Sequence, residues 1–317
     1  MENSNEKSLL VANKSGFWKE MFRRHTKDEY REFFSRGLDG KEGINKVYPW
    51  LYLRVFGICA ALFALFAFVV FMTGMFVENE AIKLFGYPSL VTVGGILLNL
   101  PLLFLVYELY PKRDFAFVKL CFVMIVCVAV TDLAVNLGYC VLFPEDEWIG
   151  GLWAVFVEEF SKALPALLAI FLLKKKDSMF GFVIGAAVGV GMAISEDIGY
   201  IFVASWDGSV DLPSLFAITG LRSFTSFAGH LVWTGFIGWA FAKFRRPLIN
   251  IKFWLCVLAS ISLHYVFNFP YASLSFLMML VAIACGLVIF VMIPKNERKA
   301  VFFESCQTLN LGENGEE

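Results

Sequence analysis

Carboxylate, imidazole and ammonium groups lie inside apolar segments of this sequence. The stretch FVEEFSKALP carries Glu158, Glu159 and Lys162, with an apolar run on each side of it. An ionisable group near the middle of a bilayer costs about 2.5–3.5 kcal/mol on insertion scales, so such groups face the interior of a helix bundle and are candidates for function. Groups of these types transfer protons or bind a divalent metal. The other polar residues inside apolar segments are Asp132, Asn136, Glu196, Asp197, Arg222, His230, His264 and Asn268.

Helical spacing relates several of these residues, because positions three, four and seven apart share one face of a helix. Glu158 precedes Lys162 by four positions, the order that favours an ion pair, whereas Glu159 lies about 100° further round the helix. The spacing predicts a Glu158–Lys162 pair and two glutamates that are not equivalent. Two further polar stripes have helical spacing: Ser223, Ser226, His230 and Thr234 form one, and Ser260, His264 and Asn268 form the other.

The elements that position these residues are membrane-spanning helices. The chain of 317 residues is 58% hydrophobic and only 17% charged, which is far from the composition of a soluble protein. A helix that crosses about 30 Å of hydrocarbon needs roughly 20 apolar residues. The sequence contains eight such runs, at about 50–74, 87–109, 115–143, 148–173, 180–204, 213–242, 251–269 and 272–293.

Basic residues alternate between the connections, as the enrichment of lysine and arginine on the cytoplasmic side of membranes requires. The first 49 residues hold ten of them, and the second, fourth and sixth connections and the C-terminal tail hold most of the others. We therefore predict an all-α, polytopic bundle of about eight transmembrane helices with both termini in the cytoplasm. The glycines of the fifth run, Gly181, Gly185 and Gly189, have a spacing that allows close helix packing and could bring Glu196 against a neighbouring helix.

The chain divides into three parts. Residues 1–49 form a basic, partly amphipathic arm, for which we expect contact with an anionic lipid surface. Residues 50–293 form the transmembrane bundle, and residues 294–317 form a cytoplasmic tail whose polar part after residue 295 we expect to be disordered. Nothing in the charge distribution indicates a nucleic-acid partner.

Four segments within residues 148–270 resemble the PrsW family of intramembrane proteases, which are related to the CAAX prenyl endopeptidases and are grouped as glutamic-type membrane proteases. VEEFSK is similar to the EExxK motif of that family, and GAAVGVGMAISEDIGY to its glycine-rich helix ending in a glutamate. GHLVWTGFIGW supplies an isolated histidine and HYVFN resembles the final HxxxN. Asp197 and Met192 depart from the pattern, since the family usually has asparagine and phenylalanine there.

The resemblance implies peptide-bond hydrolysis, and two mechanisms use the matched residues. In the first, Glu158 or Glu159 takes a proton from water, while His230, His264 or Asn268 stabilises the oxyanion. This mechanism needs no cofactor, and the family grouping favours it. In the second, a divalent metal such as zinc is held by three side chains, and another glutamate acts as the base. Those three ligands would be His230, His264 and Glu196.

Glu196 is a candidate catalytic residue in the first mechanism as well, with Lys162 and Asp197 in supporting roles. The expected substrate is a single-span membrane protein, and the resemblance implies site-1 cleavage of an anti-sigma factor in the plasma or inner membrane. Two alternatives come from other classes. A proton-coupled transporter or peptide exporter would use Glu158, Glu196 and His264 as a relay, and an inactive relative of the family would act as a scaffold.

Overall fold

The chain folds into a helical bundle, as the sequence predicts. A computed structural model describes residues 26–35, 51–76, 86–110, 112, 114–141, 146–175, 177–206, 211–226, 229–269 and 272–313, and these residues contain no β-strand. In chain order the α-helices are α1 (Lys27–Ser35), α2 (Leu51–Phe76), α3 (Tyr87–Leu109), α4 (Phe117–Val141), α5 (Glu147–Leu172), α6 (Ser178–Trp206), α7 (Leu212–Ser226), α8 (His230–Lys243), α9 (Ile251–Phe267) and α10 (Ala272–Glu313).

Most of these helices match the apolar runs of the sequence. Within the described residues, five helical stretches are long and apolar enough to cross a membrane: Leu51–Thr73, Thr92–Leu109, Phe117–Val141, Ser178–Gly199 and Leu274–Glu297. Helix α5 is equally long but carries the charged side chains of the candidate site, and α9 has 17 residues. The prediction of a polytopic membrane bundle is therefore confirmed.

Helix α6 is the central element of the bundle. Of its apolar stretch, 83% is buried, against 17–44% for the other four candidate spans. Its predicted glycines pack directly on α8, because an added Cβ at Gly181, Gly185 or Gly189 would collide with backbone carbonyl oxygens of that helix. The carbonyl that faces Gly189 belongs to His230. The glycine spacing thus brings α6 and α8 into backbone contact next to a candidate site residue.

The sixth predicted span, 213–242, is not one helix. Helix α7 ends at Ser226, α8 begins at His230, and Gly229 between them has a non-helical backbone whose carbonyl accepts from the amides of Val232 and Trp233. The expected continuous polar stripe through His230 and Thr234 was therefore wrong. The break places His230 at the first position of α8, where it meets α6 rather than continuing the face of α7.

The C-terminal end of the chain also differs from expectation, whereas the N-terminal arm is described only in part. Helix α10 continues to Glu313, so the disorder expected for the tail does not hold for residues 296–313. In the N-terminal arm, the short helix α1 packs the ring of Phe34 against Phe104 and Phe117 of the bundle. Most of the arm, residues 1–25 and 36–50, lies outside the described residues, and its contact with lipid stays a prediction.

Candidate active site

The polar residues of four helices meet in one buried cluster. Helix α5 contributes Glu158, Glu159 and Lys162; helix α6 contributes Glu196; and α8 and α9 contribute one histidine each. Asp146 starts α5 by accepting from the amides of Trp148 and Ile149, and Asn268 ends α9 as its C-cap. The structure therefore brings together the six residues that the sequence selected as catalytic: Glu158, Glu159, Glu196, His230, His264 and Asn268.

Lys162 pairs with Glu159 and not with Glu158, which corrects the predicted pair. Its Nζ lies 2.5 Å from Glu159 Oε1, and both side chains are completely buried. Positions three apart on a helix share one face, just as positions four apart do. A second contact, on another helix, directs the Lys162 side chain towards Glu159. The same Nζ lies 2.8 Å from Nδ1 of His230. Lys162 thus links α5 to α8.

His264 is oriented by Glu159 and by an aromatic ring. Its Nδ1 lies 2.7 Å from Glu159 Oε1, and its ring stacks on Trp233 with centroids 4.2 Å apart. The carboxylate accepts the Nδ1 proton, so Nε2 carries the lone pair that accepts from the side-chain amide of Asn268 at 3.0 Å. Glu159 and Trp233 therefore present Nε2 of His264 to the site.

His230 is oriented in the opposite sense. Its Nε2 lies 2.5 Å from Oε2 of Glu196. Because the ammonium of Lys162 can only donate, Nδ1 of His230 carries the lone pair, and Nε2 carries the proton and lies next to the Glu196 carboxylate. The centroids of the His230 and His264 rings are 5.2 Å apart. Each imidazole thus has its own carboxylate partner, Glu196 for His230 and Glu159 for His264.

Glu158 is the carboxylate that lies beside Nε2 of His264. Its Oε1 accepts from the hydroxyl of Tyr139 at 2.7 Å, and its Oε2 lies 3.6 Å from Nε2 of His264. This Oε2 is buried and makes no hydrogen bond to any described residue, as is also true of Oε2 of Glu159 and of Glu196. Among these described glutamates, only Glu158 lies within 4.8 Å of donor atoms of both histidines. A buried oxygen without a partner is costly unless water, a metal or a substrate satisfies it. Glu158 is therefore the glutamate best placed to meet a reactant.

Three of these side chains have the spacing of metal ligands. Glu158, His230 and His264 each offer one donor atom, and the three atoms lie within 4.8 Å of one another. Two imidazoles and a carboxylate form the ligand set of several zinc hydrolases, and a ligating histidine commonly donates its other N–H to a carboxylate, as His264 does to Glu159. The spacing fits a divalent metal, which would replace the Lys162 ammonium at Nδ1 of His230 and the Asn268 amide at Nε2 of His264. The carboxylate in this group is Glu158, whereas the predicted ligand was Glu196, which lies against His230.

Glu196 also belongs to a second ionic cluster beside the site. The guanidinium of Arg222 on α7 lies 2.7 Å from Asp197 and 3.1 Å from Glu196. The other oxygen of Asp197 accepts from the buried amide of Asn99 on α3 at 3.1 Å. Asp197 thus holds Arg222 next to Glu196, and the cluster joins α3, α6 and α7.

Several side chains that support the site were not selected from the sequence. Tyr139 lies near the end of an apolar helix, and tyrosines are common at such positions because they favour the membrane interface. Asn99 and Trp233 are isolated in apolar runs. Spacing within one helix does not reveal partners on another. The one available signal was the burial cost of Asn99, a polar residue in the middle of the second span.

The architecture and the site define a class: multi-pass helical membrane proteins with a buried cluster of carboxylates and histidines that is suited to hydrolysis. A family model described as "PrsW family intramembrane metalloprotease" matches residues 115–293, more than half of the chain. The chain belongs to this family, and its membership supports a protease. The match includes all four segments on which the resemblance was based. No curated protein and no solved structure matches the chain.

Proposed function

We propose that this protein is an endopeptidase that hydrolyses a peptide bond in or near the membrane segment of a single-span partner protein. The observation that carries the proposal is the convergence of Glu158, His230 and His264 to within 4.8 Å in a buried site. Membership of the family supports the class of reaction. We further propose a plasma or inner membrane location and, as one substrate of this kind, a membrane-bound anti-sigma factor.

The site supports distinct roles for the two adjacent glutamates. Glu158 meets the attacking water, because its Oε2 lies beside Nε2 of His264 and its side chain is 10% exposed, whereas that of Glu159 is completely buried. Glu159 is a positioning residue, because its contacts with Lys162 and His264 are completely buried. Nε2 of His264 and the amide of Asn268 lie on the Glu158 side, where the amide can donate to a developing oxyanion.

A divalent metal such as zinc would be held by Glu158, His230 and His264, and when bound it supplies an activated water and polarises the scissile carbonyl. Without a metal, Glu158 Oε2 itself accepts the proton of the water. In both cases Glu196 keeps the proton of His230 on Nε2 and Glu159 keeps that of His264 on Nδ1. The carboxylate contacts of the two rings are therefore common to both mechanisms, whereas the contact of Lys162 with Nδ1 of His230 belongs to the metal-free mechanism.

Cleavage in membranes tests the assignment. Epitope-tagged single-span proteins would be co-expressed with wild-type protein, Glu158→Gln, His264→Ala and Glu159→Gln. We expect no cleavage with the first two variants and about 10- to 100-fold slower cleavage with Glu159→Gln, the usual effect of losing a carboxylate behind a ligating histidine. Asp28→Asn, at a carboxylate with 89% exposure outside the site, is the control and should leave cleavage unchanged.

Unchanged cleavage in both Glu158→Gln and His264→Ala would refute the proposed site. Metal analysis of the purified protein separates the two mechanisms. If the purified wild-type protein contains metal, if both variants contain less of it, and if a chelator abolishes cleavage, the metal-dependent mechanism is supported. Metal-free protein whose cleavage resists chelators supports Glu158 as the base.

A further inference from the structure

The connection between α8 and α9 forms a small amphipathic surface away from the candidate active site. It consists of Arg245 and Arg246, the 3-10 helix Pro247–Ile249 and Asn250, which caps α9 by accepting from the amide of Lys252. A shallow, open cavity of about 600 Å³ is lined by Arg245, Arg246, Ile249, Asn250 and Ile251. The basic residues predict that this connection faces the cytoplasm. We call it the α8–α9 surface.

Both arginines of the α8–α9 surface keep their charge available. They are exposed, and neither forms an ion pair with an acidic side chain of the described residues. Two lysines near this end of the bundle are neutralised, in contrast: Lys243 lies 3.0 Å from Glu297 and Lys175 lies 2.5 Å from Asp114. Guanidinium groups bind phosphate through paired hydrogen bonds, so two adjacent unpaired arginines favour a phosphate ligand.

Aliphatic side chains project beside these charges. Leu248, Ile249 and Ile251 are 63%, 78% and 69% exposed, and the indole N–H of Trp254 holds the turn by donating to the carbonyl of Leu248 at 2.9 Å. Exposed aliphatic residues next to basic ones are the pattern of a segment that lies at the boundary between headgroups and acyl chains, where tryptophan is also enriched. A freely dissolved phosphate would leave these side chains in water.

The backbone of this turn is also constrained. Arg246 has a left-handed conformation, with φ 50° and ψ 62°. This conformation is uncommon for a residue other than glycine, asparagine or aspartate, and such outliers often occur at ligand sites. It separates the end of α8 from the 3-10 helix and leaves the two arginines adjacent at the rim of the cavity.

We propose that the α8–α9 surface binds the headgroup of an anionic phospholipid of the cytoplasmic leaflet. The phosphate is held by Arg245 and Arg246, and an acyl chain lies along Ile249 and Ile251. Such a site uses the same two components as other juxtamembrane lipid sites, basic side chains at the headgroup and apolar side chains below it. It involves no residue of the candidate active site and does not depend on the proposed proteolysis.

The test measures lipid binding to the full-length protein in neutral detergent. Phosphatidylglycerol and phosphatidylcholine with identical acyl chains would be titrated, and binding followed by native mass spectrometry and thermal unfolding. We expect wild-type protein to prefer phosphatidylglycerol, and Arg245→Gln with Arg246→Gln to weaken that binding by about 30-fold, since each basic residue near an anionic headgroup contributes about 1 kcal/mol. Binding of phosphatidylcholine should not change.

The matched control is Lys119→Gln with Lys295→Gln, which removes the same charge from two exposed lysines of other helices. It should keep the preference for phosphatidylglycerol. Ile249→Ser is a second, independent variant, and it should weaken phospholipid binding without altering charge. The proposal is overturned if the arginine variant binds phosphatidylglycerol like wild-type protein, if the lysine control loses binding equally, or if inorganic phosphate stabilises the protein as much as the lipid does.

Discussion

Lys162 shows how a single buried charge can organise the candidate active site. Its ammonium is completely buried and contacts a carboxylate of its own helix and an imidazole of α8. It also lies 5.8 Å from the centroid of the Trp233 ring, within the range of a cation–π interaction. Removing one member of a buried ion pair leaves the other charge without compensation, which costs more than the intact pair contributes.

Replacing Lys162 therefore tests this arrangement at the scale of one residue. Lys162→Met should lower the free energy of unfolding by about 3–5 kcal/mol, because Glu159 would remain buried and unpaired. Chemical denaturation of the purified protein in detergent measures the loss. Lys119→Met, at an exposed lysine, is the control, and its free energy of unfolding should be close to that of wild-type protein.

The double variant Glu159→Gln with Lys162→Met decides whether the lost pair is the cause. If it is, the double variant is more stable than Lys162→Met alone, because no isolated charge remains in the bundle. Equal stability of the two variants would contradict the ion pair as the main contribution of Lys162. Both variants should cleave more slowly, since both lose the charge that contacts Glu159 and His230, and the double variant also loses the carboxylate that accepts the Nδ1 proton of His264.

At the scale of the helices, the position of His230 depends on how closely α6 and α8 approach. The carbonyl of His230 occupies the space where a side chain at Gly189 would begin. Gly199, on the same helix ten positions later, has no atom within 4 Å of an added Cβ. The two glycines therefore offer a comparison in which the same substitution meets either a backbone or open space.

Gly189→Ala should push α8 away from α6, destabilise the protein by about 1–3 kcal/mol and slow cleavage, because the contact of His230 with Glu196 is disturbed. Gly199→Ala should be neutral or stabilising by up to about 1 kcal/mol, since alanine is the better helix former. Denaturation and cleavage assays on both variants measure these effects. Equal effects of the two substitutions would contradict a specific role for the close approach.

Sequence periodicity predicted the helices and the candidate site residues but not their pairing. The glutamates, Lys162 and the two histidines were selected because ionisable groups in apolar runs are costly, and that physical argument acts within one segment. Whether Lys162 turns to Glu158 or Glu159 depends on His230 of another helix. The break before His230 was missed because Ser223, Ser226 and His230 have helical spacing, and a single glycine such as Gly229 is common inside membrane helices.

At the scale of the whole molecule, the distribution of basic residues predicts that both termini lie in the cytoplasm. Cysteine labelling of intact cells tests this orientation in a chain whose native cysteines have been replaced. A membrane-impermeant thiol reagent should label Ser214→Cys, at the start of α7, and should not label Lys252→Cys, at the start of α9, until the membrane is opened. Both positions are exposed. The reverse labelling pattern would invert the predicted topology.

The interruption before His230 has a consequence for how the protein enters the membrane during synthesis. Helices α7 and α8 contain 15 and 14 residues, or about 22 and 21 Å at 1.5 Å per residue, so neither half alone crosses a hydrocarbon core of about 30 Å. The polar groups at their junction would be poorly tolerated by lipid. Helix α6 precedes them in translation and offers α8 a glycine surface and α7 the acidic partners of Arg222. Because α6 is synthesised first, it is available as a packing partner when α7 and α8 emerge from the ribosome.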